Sequence, residues 1–418
     1  MACERKLDQH RQARVGVGGA KSLPRRAVYL GAQQPSFVIQ GPLTHHFKVL
    51  GLVPLRRLGT LGVKGVGEAG AVHRLLLDPV DDLRLGDPDQ LEHGRRDVDA
   101  VRELRAQITA VKTGERRFLE LLDRYGAAEV HASIAEIMDR AEAAARARTR
   151  TIPDGVYEAE SYMDDDGIDI GQKVPIRVRV VVAGDEMTVD LSEVSKQVRG
   201  FYNSGITTGH ACAQVAYKCL TSPTDYPIND GSFRSLKTIV PPGRIVSAVR
   251  PAPMRWWMTY PMTIVDTIFK ALAPAIPGRV IAGHHADLLA SSFHGINNRT
   301  SEFFIGSFGP LGGGWGAKMT EDGVSGTVCI NDGDTHNSPN EQAEFKFPIV
   351  VERYALVSDS GGAGRHRGGL GVERVVRARS HMMVNNQSDR AHCRPWGLNG
   401  GLDGDGNAVE LRIGGQWK

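Results

Sequence analysis

Apolar residues recur at helical spacing in one part of the chain and alternate with polar residues in the next. Residues 101–111 place an apolar side chain at every third or fourth position, Gly114 interrupts the pattern, and residues 118–125 continue it on one face. Gly126 is a natural helix stop, and residues 130–153 carry a further helical pattern. The spacing therefore predicts an amphipathic helical hairpin or triplet.

After Pro153 the period changes to two, which is typical of β-strands. Residues 156–163 form one candidate strand, and residues 174–182 and 187–191 flank a turn as a hairpin. Further helices are predicted over residues 208–220 and 262–272, and short strands with glycine-rich turns from residue 295 onward. The predicted fold is α+β, with an amphipathic helical segment followed by a β-rich mixed domain with glycine-rich turns.

Residues 1–98 follow neither pattern, so we predict an atypical basic amino-terminal segment, residues 1–98, and one domain over residues 99–418. The first 77 residues contain 12 Lys and Arg against 3 Asp and Glu, a charge of +9, and the remainder carries −6 of the net +3. The basic residues lack interleaved aromatic residues and a recognition helix, which argues against nucleic acid as a partner.

Composition places the chain among globular proteins, with 41% hydrophobic and 24% charged residues. No apolar run reaches the length of a membrane span, so no membrane association is expected. The five cysteines include no C-x-x-C pair, which argues against a disulfide scaffold or a cysteine zinc site and favours a cytoplasmic location.

The sequence SGGAGRHRGGLG at residues 360–371 is the densest glycine segment of the chain. Glycine weakens helix and strand interiors, so this segment is predicted to be a sharply folded loop. Two interpretations remain open. The loop is either a corner in a β-rich domain or a turn whose free N–H groups, beside Arg365, His366 and Arg367, hold an anion.

Three polar side chains in the sequence HHAD are candidate metal ligands: His284, His285 and Asp287. Imidazole and carboxylate groups together suit a divalent ion such as zinc, manganese or magnesium. Neighbouring residues of a strand point to opposite faces, so the two histidines share a metal only in a turn or bulge. A solvated loop with one histidine packed beneath it is the alternative.

Two more residues are candidate catalytic groups. Asn203 precedes a predicted helix, where its amide can cap the helix or bind a carbonyl or an anion. Arg255 adjoins two tryptophans after a proline-rich turn and belongs either to a ligand wall or to a hydrophobic corner. The chain has no G-x-x-x-x-G-K-[ST] loop, so an ATPase of its own is not expected.

Several motifs, taken in their order along the chain, resemble the hydantoinase B/oxoprolinase family over roughly residues 99–418. They are LRAQI at 104–108, GERR at 114–117, RYG at 124–126, PDGVY at 153–157, FYN at 201–203, GGGWGA at 312–317, ERY at 352–354, SGGAGRHRGGLG at 360–371 and PWG at 395–397.

The resemblance implies an enzyme subunit that works in a hetero-oligomer with a hydantoinase A-like partner, which binds the ATP. The implied reaction is ATP-dependent opening of a small cyclic amide, such as 5-oxoproline or N-methylhydantoin. Relatives in the family carboxylate acetone or acetophenone instead, so a ketone carboxylase subunit is the alternative enzyme.

One departure from the family pattern bears on catalysis. Family members carry NDP, T-H-L-P-D and H-H-A-D-x-G-G motifs upstream of the LRAQI helix, where they are expected to hold a metal. Residues 1–98 contain none of these motifs, so this segment is predicted to be truncated, rearranged or read in another frame. A non-catalytic remnant or assembly protein is therefore a third interpretation.

Overall fold

The structure is a computed structural model that describes residues 95–221, 228–254, 260–330, 335–413 and 416–417. The chain divides into two units, Met1–Ala110 and Val111–Lys418. The predicted segment of residues 1–98 lies almost wholly outside the described residues. Among the described helices, none combines the length and apolar content needed to cross a bilayer.

Two long helices open the described chain. Helix α1 spans Arg95–Tyr125, and helix α2 spans Ala127–Thr149. Gly126 separates them with a φ of +83°, a conformation that glycine adopts without strain, so the predicted stop is confirmed. The predicted interruption at Gly114 is wrong, because α1 continues through it. A glycine inside a helix costs only about 1 kcal/mol, which the flanking helical sequence tolerates.

A four-stranded sheet with strand order β1-β2-β3-β4 follows. Its strands are β1 Gly155–Met163, β2 Val174–Ala183, β3 Glu186–Asp190 and β4 Leu236–Ile239. Strands β1, β2 and β3 pair antiparallel, and β4 joins β3 in parallel. Ile176, Val178 and Val180 of β2 are buried while Arg177 and Arg179 point outward, so the predicted hairpin is confirmed.

Two helices build the main core with this sheet. Helix α3 spans Ile206–Thr221, and helix α4 spans Tyr260–Leu272 and packs on β1, β2 and α3. Nearly every residue of α4 is buried, including Asp266 in the middle of an apolar run. This burial places one carboxylate inside the core, where it requires partners.

The rest of the chain is rich in strands, as predicted. Strands β5 Ala290–Ile296 and β6 Phe303–Ser307 form a three-stranded sheet with β9 Met382–Gln387, in the order β6-β5-β9. The other elements are α5 Asn340–Lys346, β7 Ile349–Leu356, β8 Val372–Ala378, β10 Arg412–Ile413 and β11 Gln416–Trp417. The architecture is α+β, which confirms the predicted fold class.

Candidate functional site

Residues 282–287 lie between α4 and β5 without regular secondary structure, and other loops hold them from both sides. The Gly283 N–H donates to the carbonyl oxygen of Trp396 at 2.9 Å. The His285 N–H donates to the carbonyl oxygen of Gly314 at 3.0 Å. Two glycine-rich segments that are distant in sequence therefore meet at the HHAD motif.

Asp266 and His284 form a buried pair beneath this segment. Asp266 Oδ1 lies 2.7 Å from His284 Nδ1, and Oδ2 accepts from the His284 N–H at 3.0 Å. The guanidinium of Arg390 also donates to Asp266 Oδ2, at 3.2 Å. The carboxylate that burial in α4 would destabilise is thus compensated by a charge and by hydrogen bonds.

His285 belongs to the wall of a cavity of about 1710 Å³. Burial, reinforced by His284 and Arg390, lowers the pKa of His285 to about 3, so its imidazole is neutral near neutral pH. Its Nε2 atom is buried and has no hydrogen-bond partner among the described residues. Gly313 packs against this ring so closely that a β-carbon there would overlap it.

Asp287 belongs to a second buried group of carboxylates. Its Oδ2 accepts from the Asp389 N–H at 2.7 Å, and burial raises the pKa of Asp389 to about 6. Asp164, just after β1, accepts from the N–H groups of Ala391, His392 and Cys393 at 2.6, 3.0 and 2.6 Å. The loop that follows β9 is therefore organised around carboxylates from earlier segments.

This geometry does not support a metal ion shared by His284, His285 and Asp287. Both nitrogens of the His284 ring are engaged, by Asp266 and by the Ile330 N–H, and the two histidine rings stand at 75° to each other. Throughout the described ranges, no group of three His, Cys, Asp or Glu side chains is placed to hold a metal.

The predicted catalytic residue Asn203 stands apart from this arrangement. The Asn203 amide is fully buried and donates to the carbonyl oxygens of Val198, Gly200 and Pro253. Its Oδ1 accepts from the Val198 N–H at 2.8 Å, so Asn203 joins two loops. Arg255 lies outside the described residues.

The glycine-rich segment of residues 360–371 is a corner between strands β7 and β8. Five consecutive N–H groups, from Arg367 to Gly371, donate to protein acceptors, which include Asp322 Oδ1 and the Trp315 carbonyl oxygen. These five N–H groups are not free to hold an anion, and they fasten the segment as a corner between the two strands. Arg365 and His366 still line the cavity.

Sequence reasoning missed Asp266 and Arg390, and it singled out Trp396 only as part of the PWG motif. The indole of Trp396 lines the same cavity as His285, and its Nε1 is buried without a partner in the described chain. Of the two missed residues, Asp266 carried a signal, because a carboxylate inside the apolar run YPMTIVDTIFKAL needs a buried partner.

Comparisons with known proteins agree with this architecture. The family model described as Hydantoinase B/oxoprolinase matches residues 61–417. The caprolactamase subunit beta of Pseudomonas jessenii is 34% identical over 288 residues, covering 68% of this chain and 49% of that protein. The chain thus spans about half the length of this relative.

Two solved structures share the fold. The ATP-dependent caprolactamase from Pseudomonas jessenii superposes with a TM-score of 0.63 at 28% identity, over 73% of this chain and 57% of that chain. A nucleotide-free acetone carboxylase gives a TM-score of 0.61 at 17% identity, over 69% of this chain and 41% of that chain.

Proposed function

Because the chain belongs to the hydantoinase B/oxoprolinase family, we propose that it forms part of a subunit of an ATP-dependent cyclic-amide hydrolase. Its partner is a hydantoinase A-like ATPase, and the substrate is a small cyclic amide. The described cysteines are all free, which suits a complex that works in the reducing cytoplasm.

One observation carries the proposal: the cavity is built from the segments whose sequence matches the family. Residues 312–317, most of residues 360–371 and residues 395–397 all line it. Glycine in these segments is required by close packing, since a β-carbon at Gly314 would overlap the Gly369 carbonyl oxygen and one at Gly316 that of Ala282. The family motifs therefore line a concave surface that is large enough to admit a small ligand.

The mechanism that we propose divides the labour between two proteins. The partner transfers the terminal phosphoryl group of ATP to the amide oxygen and releases ADP. Water then attacks the activated carbonyl carbon, the ring C–N bond breaks as its nitrogen takes up a proton, and phosphate leaves. Side chains of this chain hold the ring and stabilise the negative charge that develops on the carbonyl oxygen. His285 is the candidate to contact the substrate, while Asn203 acts at a distance by joining the two loops that it bonds.

Two alternatives remain. The likeness to acetone carboxylase lies in the fold alone, so amide hydrolysis is the better supported reaction. A non-catalytic assembly protein would bind the partner and add no activity.

The test is reconstitution of the full chain with a hydantoinase A-like ATPase. We expect ring opening of 5-oxoproline, hydantoin or ε-caprolactam, measured by mass spectrometry, only when both proteins and ATP are present. Bicarbonate-dependent consumption of acetone would identify a carboxylase, and a stable but inactive complex would identify an assembly protein. His285→Gln should lower turnover at least about a hundredfold, whereas His210→Gln, at an exposed position of α3, should not.

A further inference from the structure

The sheet formed by β6, β5 and β9 presents one face to solvent. Residues along each strand alternate between the two faces of the sheet, and the register aligns the outward side chains in rows. His294 of β5 lies opposite Ile305 of β6 on one side and Met383 of β9 on the other. Ile296 lies opposite Phe303 in the next row. Opposed side chains have β-carbons about 5 Å apart, so these five form one continuous surface, which we call the outer patch.

The four apolar residues of the outer patch are strongly exposed. The exposed fraction runs from 47% at Phe303 to 62% at Met383, with Ile305 and Ile296 between them. Single exposed apolar residues are common on protein surfaces. Contiguous apolar patches are rare on proteins that work alone, and they mark interaction sites. Four such residues on three adjacent strands therefore need an explanation.

The other face of the same sheet is directed inward. Phe293 and Phe304 are buried there in an apolar cluster. Ser291, Val384 and Asn386, which also lie on this face, line the cavity. The sheet is therefore part of the cavity wall, and the outer patch is the back of that wall.

Basic residues border one end of the outer patch. Arg299 lies in the turn between β5 and β6, and Arg379 lies in the turn between β8 and β9; both are exposed. The side-chain amide of Asn298 donates to the Arg379 carbonyl oxygen at 2.8 Å, which joins the two turns. Residues 297–302 and 379–381 together contain two arginines, one histidine and one glutamate. This end of the patch is therefore positively charged.

The opposite end of the outer patch is uncharged, because Ser292, Ser307 and Asn385 continue the outward rows there. If two copies of this chain met face to face, a twofold axis would set the basic end of one copy against the basic or the neutral end of the other. A second copy therefore supplies no counter-charge. A different protein that carries acidic residues beside apolar ones supplies both kinds of contact.

We propose that the outer patch docks the hydantoinase A-like ATPase, through an apolar segment of that partner flanked by acidic residues. The identity of the partner rests on the proposed function, and the relative from Pseudomonas jessenii is itself named as a subunit. Apolar side chains at the centre of an interface supply most of its affinity, and charges at its rim steer association. The partner is thereby held on the back of the cavity wall.

The test measures binding of the full chain to the hydantoinase A-like ATPase by biolayer interferometry. Met383→Glu and Ile305→Glu each place a charge inside the outer patch and should weaken binding at least about tenfold. Ile170→Glu makes the same change at a residue that is 74% exposed outside the patch, and it should leave the affinity unchanged. Circular dichroism should show all three variants folded, because the three positions are exposed.

A second variant tests the basic end of the patch. Arg299→Glu/Arg379→Glu should lower the association rate constant at low salt at least about tenfold, because rim charges steer the encounter. The difference from wild type should shrink as salt screens these charges. Arg116→Glu/Arg117→Glu makes the same change of charge at two exposed residues of α1 and should lower the rate constant far less.

Three results would overturn the inference. They are unchanged affinity in the folded Met383→Glu and Ile305→Glu variants, no binding of the ATPase by wild type, and a dimer of the chain alone that Met383→Glu converts to monomer. Light scattering after size-exclusion chromatography detects the last, which would make a second copy the occupant of the patch.

The outcome is separable from that of the proposed function. Weakened binding in the variants without ring opening by the wild-type complex would leave the docking surface standing and remove the hydrolase. Ring opening by a complex that the variants form with normal affinity would leave the hydrolase standing and remove the docking surface.

Discussion

Arg390 and Asp266 form an ion pair across 3.2 Å with both side chains only about 1% exposed. The pair connects the middle of α4 with the loop that follows β9. His284 shares the same carboxylate, so the pair also holds the HHAD segment against the core.

Removing the charge of Asp266 should destabilise the fold strongly. Asp266→Asn removes the carboxylate that is paired with the buried Arg390 guanidinium, and breaking such a pair costs about 3–5 kcal/mol. Urea denaturation followed by circular dichroism measures the loss. The double variant Asp266→Asn/Arg390→Met should lose less than the single variant, because no unpaired charge remains.

The matched control is an exposed pair on α2. Glu136 and Arg140 lie 2.6 Å apart with side chains 59% and 69% exposed. Glu136→Gln should change the free energy of unfolding by about 0.5 kcal/mol or less. If Asp266→Asn and Glu136→Gln lowered the free energy of unfolding equally, burial would add nothing to the contribution of the pair between Asp266 and Arg390.

Asp185 should make the fold sensitive to acid. Burial opposes its ionisation, but hydrogen bonds from Arg150 and Arg146 outweigh burial and lower the pKa of Asp185 below its ordinary value of 3.8. A lowered pKa stabilises the folded state above that value, and the stabilisation is lost as the pH falls below it.

The measurement compares wild type with Asp185→Asn by chemical denaturation across this range. The variant should be less stable than wild type near neutral pH, and the difference should shrink as the pH falls through 3.8 and below. A difference that is constant with pH would show that Asp185 acts through packing and not through its charge.

The sequence predicted regular elements better than it predicted the site. Apolar and polar residues alternate so regularly over residues 174–191 that the hairpin, its turn and its buried face could all be predicted from the pattern. Gly114 misled the prediction, because a single glycine marks a helix end only where the flanking pattern also stops. The Asp266 and Arg390 pair joins residues 124 positions apart, and no local pattern encodes contacts of that kind.

Two glycine substitutions should have opposite effects on stability. Gly314→Ala would place a β-carbon on the Gly369 carbonyl oxygen, so the glycine-rich loops must separate, at a cost of about 1–3 kcal/mol. Gly114→Ala meets open space inside α1 and should stabilise the helix by about 0.5–1 kcal/mol. Differential scanning calorimetry should show a lower melting temperature for the first and a higher one for the second. Identical shifts would contradict the close packing of the cavity wall.

Cys212 should resist alkylation while the protein is folded. Burial raises the pKa of its thiol to about 12 and also blocks access. Iodoacetamide reacts with the thiolate, so peptide mass spectrometry should find Cys219, which is exposed on the same helix, modified first. Both cysteines should react in urea, and early labelling of Cys212 in the folded protein would contradict its burial.

The loop after β9 also governs the order in which the molecule can assemble. Asp164, Asp266 and Asp287 receive N–H or guanidinium donors from residues 389–393, which follow them by 102 to 229 positions. During synthesis these carboxylates emerge well before their donors, and a carboxylate without donors stays in water. The core around α4 therefore forms late during synthesis. A nascent chain that ends before this loop should still be cleaved by proteases and bound by chaperones.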